Sequence, residues 1–348
     1  MDKNTSKTHQ MTHRFPIKEI ALQAGLGAAT VDRVLNDRAH VSAQTRLRVQ
    51  AAIEELASQE AQLAARGRRL FFDFVIEAPS RFSREVKAAA EAALPHVGAA
   101  VCRSRFMQQD IMEEHEVVAA LMRILKRGSH GVCLKARNTP KIRAAVNRLG
   151  AAKIPVVTLV TDITDTTRLA YAGLDNAGAG RTAAYLIAKA IGDVQGRVLA
   201  MRSHERFLGE QARDTAFTEA LAQACPKLRI IKVQGGSGTN FDTAKVLSDV
   251  IGDMTDLCAV YSMGGGNASI LATLAHHGLK PDVFVAHDLD QENRNLIMDR
   301  KLDFILYHDL QTDIKNAFNA FLVYHRLLAG PPHLPISTIQ VLTPENIP

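Results

Sequence analysis

The chain has 348 residues, a net charge of +6 and an apolar fraction of 47%, enough for two or three domains with sizeable cores. No uninterrupted apolar run reaches the ~18 residues of a membrane span, and the polar start MDKNTSKTHQMTHR lacks the apolar segment of an export signal. Cys102, Cys133, Cys225 and Cys258 are far apart and form no C-x2-C pair, so neither a disulfide framework nor a zinc site is expected, and a cytoplasmic address fits.

Residues 1–15 read as a disordered, weakly basic tail. Residues 16–58 hold two short helical patterns around a glycine-containing turn, with a third helix after them. That is the spacing of a helix-turn-helix DNA reader. Ala21 is small, so the second helix can cross close to the first. Gly25 permits the positive φ that a tight interhelical turn often needs. Val31 and Val34, with Ile20 and Leu35, give an inward apolar side. Ala28, Ala29, Asp32 and Arg33 are left on the other side, free to face a partner. The polar tract NDRAHVS leads into a third helix that Ser42 can cap, expected from Ala43 through Leu56. Residues 1–70 carry eleven Lys/Arg against seven Asp/Glu, a net of +4 that suits phosphate binding.

Residues 59–70, rich in Ala and Arg, read as a linker. From Phe71 the texture alternates between buried strands (FFDFVIEAP, AAVCRSRF, GVCLKA, PVVTLVTD) and helical stretches. A second set follows: YAGLD, GRVLAMR, RIIKVQGG, CAVYSMGG and DVFVAHD. This alternation implies two parallel sheets with helices on both faces. FILYHD, a long helix and the strand STIQVLT close the chain.

The run of a helix, AG, a short turn, TV-x-RVLN and HVSAQTR-x-RV closely resembles the DNA-binding domain of the LacI/GalR bacterial regulators, and weaker motifs continue the resemblance to about Val341. The resemblance implies an α/β protein: an N-terminal, lambda-repressor-like helix-turn-helix domain and a bilobed, periplasmic-binding-protein-like core of two parallel-sheet subdomains. The core divides into 71–174 with 307–332, and 175–306 with 333–348. Crossings between lobes are expected near 172–176, 303–308 and 331–337. The family's linker carries Tyr-x-Pro-Asn before Ala-Arg-x-Leu. Here Ser58 replaces the Tyr, the Pro-Asn is missing, and Leu63 and Leu70 both remain candidates for the wedge leucine. Minor-groove kinking is therefore in doubt, and Arg66, Arg68 and Arg69 suit phosphates better.

Arg33 matches the arginine of the family's TV-x-R motif and can bond guanine O6 and N7 together. Ala28 and Ala29 fall at positions that set operator preference and offer only apolar contact. Asp32 is the other polar group available for direct readout. Thr30, Asn36, His40, Ser42 and Thr45 match backbone-contact positions, although Ser42 can serve as a cap alone. Two heads on two half-sites require a homodimer, and with no leucine heptad after Pro344 a helical tetramerisation tail is not expected.

Effector residues belong past strand ends, in the cleft. The resemblance implies Asn176, Arg213, Asp288 and His308. Strand ends add Ser80, Arg81 and Phe82, then Asn267 after the GGG turn, while Phe82 or Phe241 can cover a ring face. Arg213 and Asp288 together suit a sugar, polyol or cyclitol. No cofactor is expected. Gly264–Asn267 with Asp288 imitates a dinucleotide fingerprint, which leaves an oxidoreductase as a third class behind a solute-binding protein.

Overall fold

The computed structural model describes residues 13–348 apart from 40, 66, 98–99, 206 and 332–333. Its head contains α1 (Ile17–Ala24), α2 (Ala28–Leu35) and α3 (Ala43–Ala65). Ile20, Val31 and Val49 are buried at its centre, with Ala21, Ala24 and Ala52. Gly25 is left-handed (φ 62°, ψ 40°), and its N–H caps the end of α1. The Arg48 guanidinium then donates to the carbonyls of Ala24 (2.8 Å) and Gly25 (3.3 Å), fastening α3 to that turn.

One expectation fails here. The third helix does not stop near Leu56 but runs unbroken to Ala65, through most of the expected linker. The cause is local: residues 57–65 contain no proline or glycine and are mostly Ala, Gln, Glu and Leu, strong helix formers. An ion pair of 2.7 Å between Arg14 and Glu60 braces the extension. The helix ends before Gly67, whose φ is 78°. Arg69 already belongs to the first strand, and Arg66 lies outside the described residues.

The first lobe comprises β1 (Arg69–Glu77), α4 (Ser80–Ala93), β2 (Val101–Gln109), α5 (Glu114–Arg127), β3 (Gly131–Lys135), α6 (Pro140–Ala151), β4 (Val156–Leu159) and β5 (Ala170–Ala172). Its strands lie parallel in the order β2-β1-β3-β4-β5. The second contains α7 (Asn176–Ile191), β6 (Gly196–Arg202), α8 (Leu208–Ala224), β7 (Leu228–Gln234), α9 (Asn240–Ile251), β8 (Leu257–Ser262), α10 (Asn267–His276), β9 (Val283–His287), α11 (Gln291–Met298) and β10 (Phe304–Tyr307). The chain then returns to the first lobe as α12 (Leu310–Tyr324) and ends in the second sheet as β11 (Gln340–Leu342). The second sheet runs β11-β10-β9-β8-β6-β7, parallel except where β11 meets β10.

Burial explains this topology. β1 buries both faces, as parallel strands under helices do. Phe72 stacks on Phe318 of α12 at 4.8 Å between centroids, with Phe321 at 5.2 Å, which fixes α12 to the first sheet. In the second lobe α7 and α8 pack closely across small residues. A Cβ on Gly180 would stand 2.2 Å from the carbonyl oxygen of Arg213 and 3.0 Å from the backbone nitrogen of Phe217. Backbone cannot rotate away as a side chain can, so Gly180→Ala is expected to cost about 2 kcal/mol despite its better helix propensity. Chemical denaturation measures this, and an unchanged midpoint would mean that the two helices separate freely.

The three crossings are cross-linked. The backbone N–H of Ser337 donates to the Gly173 carbonyl at 3.0 Å, the Ser337 hydroxyl donates to Asp313, and Asp313 Oδ2 lies 2.6 Å from His308 Nδ1. His308 and Asp313 are both buried.

Candidate functional site

On α2, Val31 packs inward while Ala28, Ala29 and Arg33 are exposed. Among the described residues no hydrogen bond or ion pair engages the Arg33 side chain. Asp32 differs from the expectation of a free group. Its carboxylate accepts from Asn36 Nδ2 at 2.8 Å and pairs with Arg38 at 3.2 Å, so Asn36 and Asp32 bind each other across one helical turn. Thr30 is half-buried on the same helix. Ser42 Oγ accepts from the Thr45 N–H at 3.1 Å and lies 2.8 Å from Thr45 Oγ1, so both hydroxyls serve the start of α3. His40 lies outside the described residues.

Between the lobes lies a cavity that is partly open to solvent. The carboxyl ends of β1 and β3 bring Glu77 and Lys135 to one wall, and the turns after β6, β8 and β9 bring Ser203, Gly264 and Asp288 to the other. Arg81 spans the gap. Its Nη2 donates to the Gly238 carbonyl at 2.7 Å and its Nε pairs with Asp290 at 2.9 Å. Lys135 Nζ stands 4.3 Å from the ring centroid of Phe207 in the opposite lobe and 5.8 Å from that of Phe82.

Arg213 is almost fully buried at the cavity wall. Nε donates to Asn176 Oδ1 and Nη1 to the Met263 carbonyl, both at 2.7 Å, while Nη2 has no partner among the described residues. His287 beside it lies 2.8 Å from the Tyr261 hydroxyl through Nε2, and its Nδ1 is likewise unpartnered. Burial pushes the His287 imidazole well below its ordinary pKa, with Arg213 and His308 acting the same way. The group is therefore neutral at pH 7, and burying an unpaired polar atom is costly unless something satisfies it.

This has a consequence for acid stability. The unfolded chain protonates this histidine near pH 6.5, whereas the folded chain protonates it only at lower pH. Between the two values the unfolded state binds more protons, so stability falls as the solution is acidified, by up to about 1.4 kcal/mol per pH unit. His130, also lowered chiefly by burial, adds in the same direction. Melting temperatures between pH 7.5 and 5.5 should fall, and should fall less steeply for His287→Gln.

Of the residues expected in the cleft, Arg81, Phe82, Arg213 and Asp288 line it. Ser80 does not; it is exposed at the start of α4. Asn176 stands behind the wall, where it orients Arg213 and donates to the Tyr171 hydroxyl at 3.0 Å. Asn267 is buried beneath the wall; its Nδ2 donates to Asn293 Oδ1, and Asn293 Nδ2 donates to the carbonyls of His287 and Asp288. It thereby supports the turn in which Asp288 takes a φ of 65°. Phe241 is 82% exposed, because the first turn of α9 points it away from both lobes' cores. His308 is committed to Asp313, with Nε2 3.9 Å from Asp288, and faces a neighbouring cavity.

Lys135, Glu210, Phe207, His287 and Asp290 were missed. Lys135 closes the strand GVCLK and His287 the strand VFVAH, so the strand-end rule reaches them; Glu210 sits inside a helix and gives no such signal. Glu210 also bears on the glycine-rich turn. A Cβ on Gly264 would lie 2.7 Å from its Oε1, and one on Gly265 2.1 Å from Arg81 Nη2. Side chains of both charges, Glu210 and Arg81, therefore pack against this turn.

Two family models match the chain: a periplasmic binding protein domain over residues 74–330 and the lacI family of bacterial regulatory proteins over residues 16–58. No curated protein matches it. Solved structures resemble it in fold. GanP, a glucose-galactose binding protein from Geobacillus stearothermophilus, is 18% identical with a TM-score of 0.71, covering 81% of this chain and 99% of its own. A solute-binding protein from Burkholderia graminis in complex with D-arabinose is 17% identical, with a TM-score of 0.71 over 81% of this chain and 97% of its own. A structure from Bacteroides fragilis assigned as a LacI transcriptional regulator is 16% identical, with a TM-score of 0.68 over 80% and 98%.

Proposed function

Because the chain belongs to the periplasmic binding protein domain family and carries a lacI-family head, the LacI/GalR regulator architecture, we propose that it is a sequence-specific repressor whose operator affinity is set by a sugar, polyol or cyclitol held between its lobes. Neither matched family is enzymatic. The observation that carries the reading is the pairing, in one chain, of an unengaged Arg33 on an exposed helix with an interlobe cavity whose Arg213 lacks a partner at Nη2. The first is a group waiting for a base edge; the second, one waiting for a ligand oxygen. In this reading Arg33, Ala28 and Ala29 face the bases, and Thr30, Asn36, His40, Ser42 and Thr45 face phosphates. Asp288, Arg213, Arg81 and Phe82 hold the effector, with Asn176, Asn267 and His308 behind them.

The protein acts as a homodimer on a pseudo-twofold operator, in the cytoplasm where DNA is. No helix among the described residues is long and apolar enough to cross a membrane. Effector capture closes the cleft and changes how the two heads sit, a coupling of about 1–3 kcal/mol in such switches. A solute-binding protein would use the same cleft but has no use for the head. Selection of bound sequences from a randomised duplex pool, with and without added sugars, tests the reading. An enriched palindrome whose recovery changes with one sugar supports it; a pool that never enriches overturns it.

A further inference from the structure

We propose that the effector is uncharged, and that Lys135 is the first lobe's donor to its hydroxyls, so that phosphorylated or carboxylated forms of the same compound are refused. This rests on the sugar-responsive reading above and narrows it to a chemical class.

Glu77 is committed to Arg137 at 3.0 Å, and Asp290 to Arg81 at 2.9 Å. Glu210 accepts from the Ser203 N–H at 2.6 Å and from the Ser203 hydroxyl, so both its oxygens are engaged. Lys135, whose pKa burial lowers, and Arg213 then stand against two carboxylates, Glu210 and Asp288, so the site has no surplus positive charge before anything enters it. Asp110, exposed at the rim, adds a further negative charge. An anionic ligand would bring one or two more negative charges beside these in a partly desolvated space, where like charges are costly.

The unsatisfied groups lead to the same class. Lys135 donates to the Glu77 carbonyl at 2.8 Å, which uses one of its three hydrogens, and no carboxylate lies within ion-pair distance of it among the described residues. Arg213 Nη2 has no partner. Both require acceptors, while the Asp288 carboxylate, in the same cavity, requires donors. A hydroxyl is donor and acceptor at once, so adjacent hydroxyls on a ring answer both needs. A phosphate monoester dianion or a carboxylate offers acceptors only. Phe82 and Phe207 approach Lys135 from opposite lobes and add apolar surface to the same cavity. Lys135 belongs to the first lobe, whereas Arg213, Asp288 and Phe207 belong to the second. A hydroxyl that bridges them therefore makes a contact that exists only when the cleft is shut.

The test uses the full-length protein and matched pairs of probes: D-glucose, D-galactose, D-arabinose, D-allose and myo-inositol against glucose 6-phosphate, galacturonate, arabinose 5-phosphate, allose 6-phosphate and inositol 1-phosphate. Affinity is read by calorimetry and by shift in melting temperature. The expected result is that a neutral member binds and its charged counterpart binds at least about a hundredfold more weakly, while Lys135→Met weakens the neutral ligand by about tenfold or more. Tighter binding of a charged member overturns this inference and leaves a sugar-responsive regulator in place. Neutral binding unaffected by Lys135→Met overturns the role of Lys135. Binding by no member of either set overturns the inference together with the reading on which it rests.

Discussion

Replacing Arg33 by alanine is expected to lower operator affinity by about tenfold to a hundredfold, and to lower the preference for operator over random DNA by a similar factor, the worth of one bidentate arginine–guanine contact. Loss of preference is what separates a base contact from a phosphate contact. A phosphate-binding arginine, once removed, weakens all DNA alike and leaves the ratio between sequences unchanged. The expectation for Arg33 follows from what surrounds it. Ala28 and Ala29 have no polar groups, and Asp32 already serves Asn36 and Arg38. Arg33 is exposed on that face, and among the described residues no hydrogen bond or ion pair engages its side chain. Fluorescence anisotropy with operator and scrambled duplexes at one fixed salt concentration measures both quantities, since affinities at different salt are not comparable. If discrimination survives the substitution, the arginine holds a phosphate and sequence is read elsewhere.

Arg213→Ala is expected to reduce effector affinity more than about a hundredfold and to abolish the effector's influence on operator binding, while operator binding without effector is kept. The guanidinium does three things at once. It ties Asn176 through Nε, ties the Met263 carbonyl through Nη1, and keeps a buried Nη2 that has no partner among the described residues. Its removal takes away the free donor and also leaves two acceptors in the wall without their partner. Asn176→Ala, which removes the acceptor that orients Arg213 together with the bonds to the Tyr171 hydroxyl and the Val160 carbonyl, should cost less. Titration calorimetry with the cognate sugar separates the two variants, and equal losses would show that Asn176 itself touches the ligand. Should the arginine variant retain its response, the cleft between the lobes is not where the signal enters.

The layered architecture was legible because it is written in hydrophobic runs. Strands such as FFDFVIEAP and CAVYSM are too uniformly apolar to be half-exposed, and their alternation with amphipathic stretches left few arrangements open. The turn at Gly25 and the inward Val31 were legible for the same reason: one demands a left-handed backbone, the other a core. The third helix runs past its expected end at Leu56 because residues 57–65 hold no breaker, and helix propensity carries it to Ala65. In the cleft, strand ends located Arg81, Phe82 and Asp288. They do not distinguish a side chain that faces the cavity from one that stands behind it: Asn176 bonds Arg213, and Asn267 bonds Asn293 beneath the Asp288 turn. Position along a strand fixes which layer a residue occupies. Whether its polar atoms are already spoken for depends on neighbours distant in sequence, as Glu210 is to Gly264.

The tie from Gly173 through Ser337 and Asp313 to His308 joins all three connecting segments at one point. Three cords knotted together cannot lengthen independently, so one lobe cannot slide along the other or draw straight back from it. What remains is a swing about the knot, like a door on a single pin. A small gap opened there becomes a large sweep at the far edge of each lobe, and under the proposed function that angle is what would carry news of a bound molecule out of the cleft.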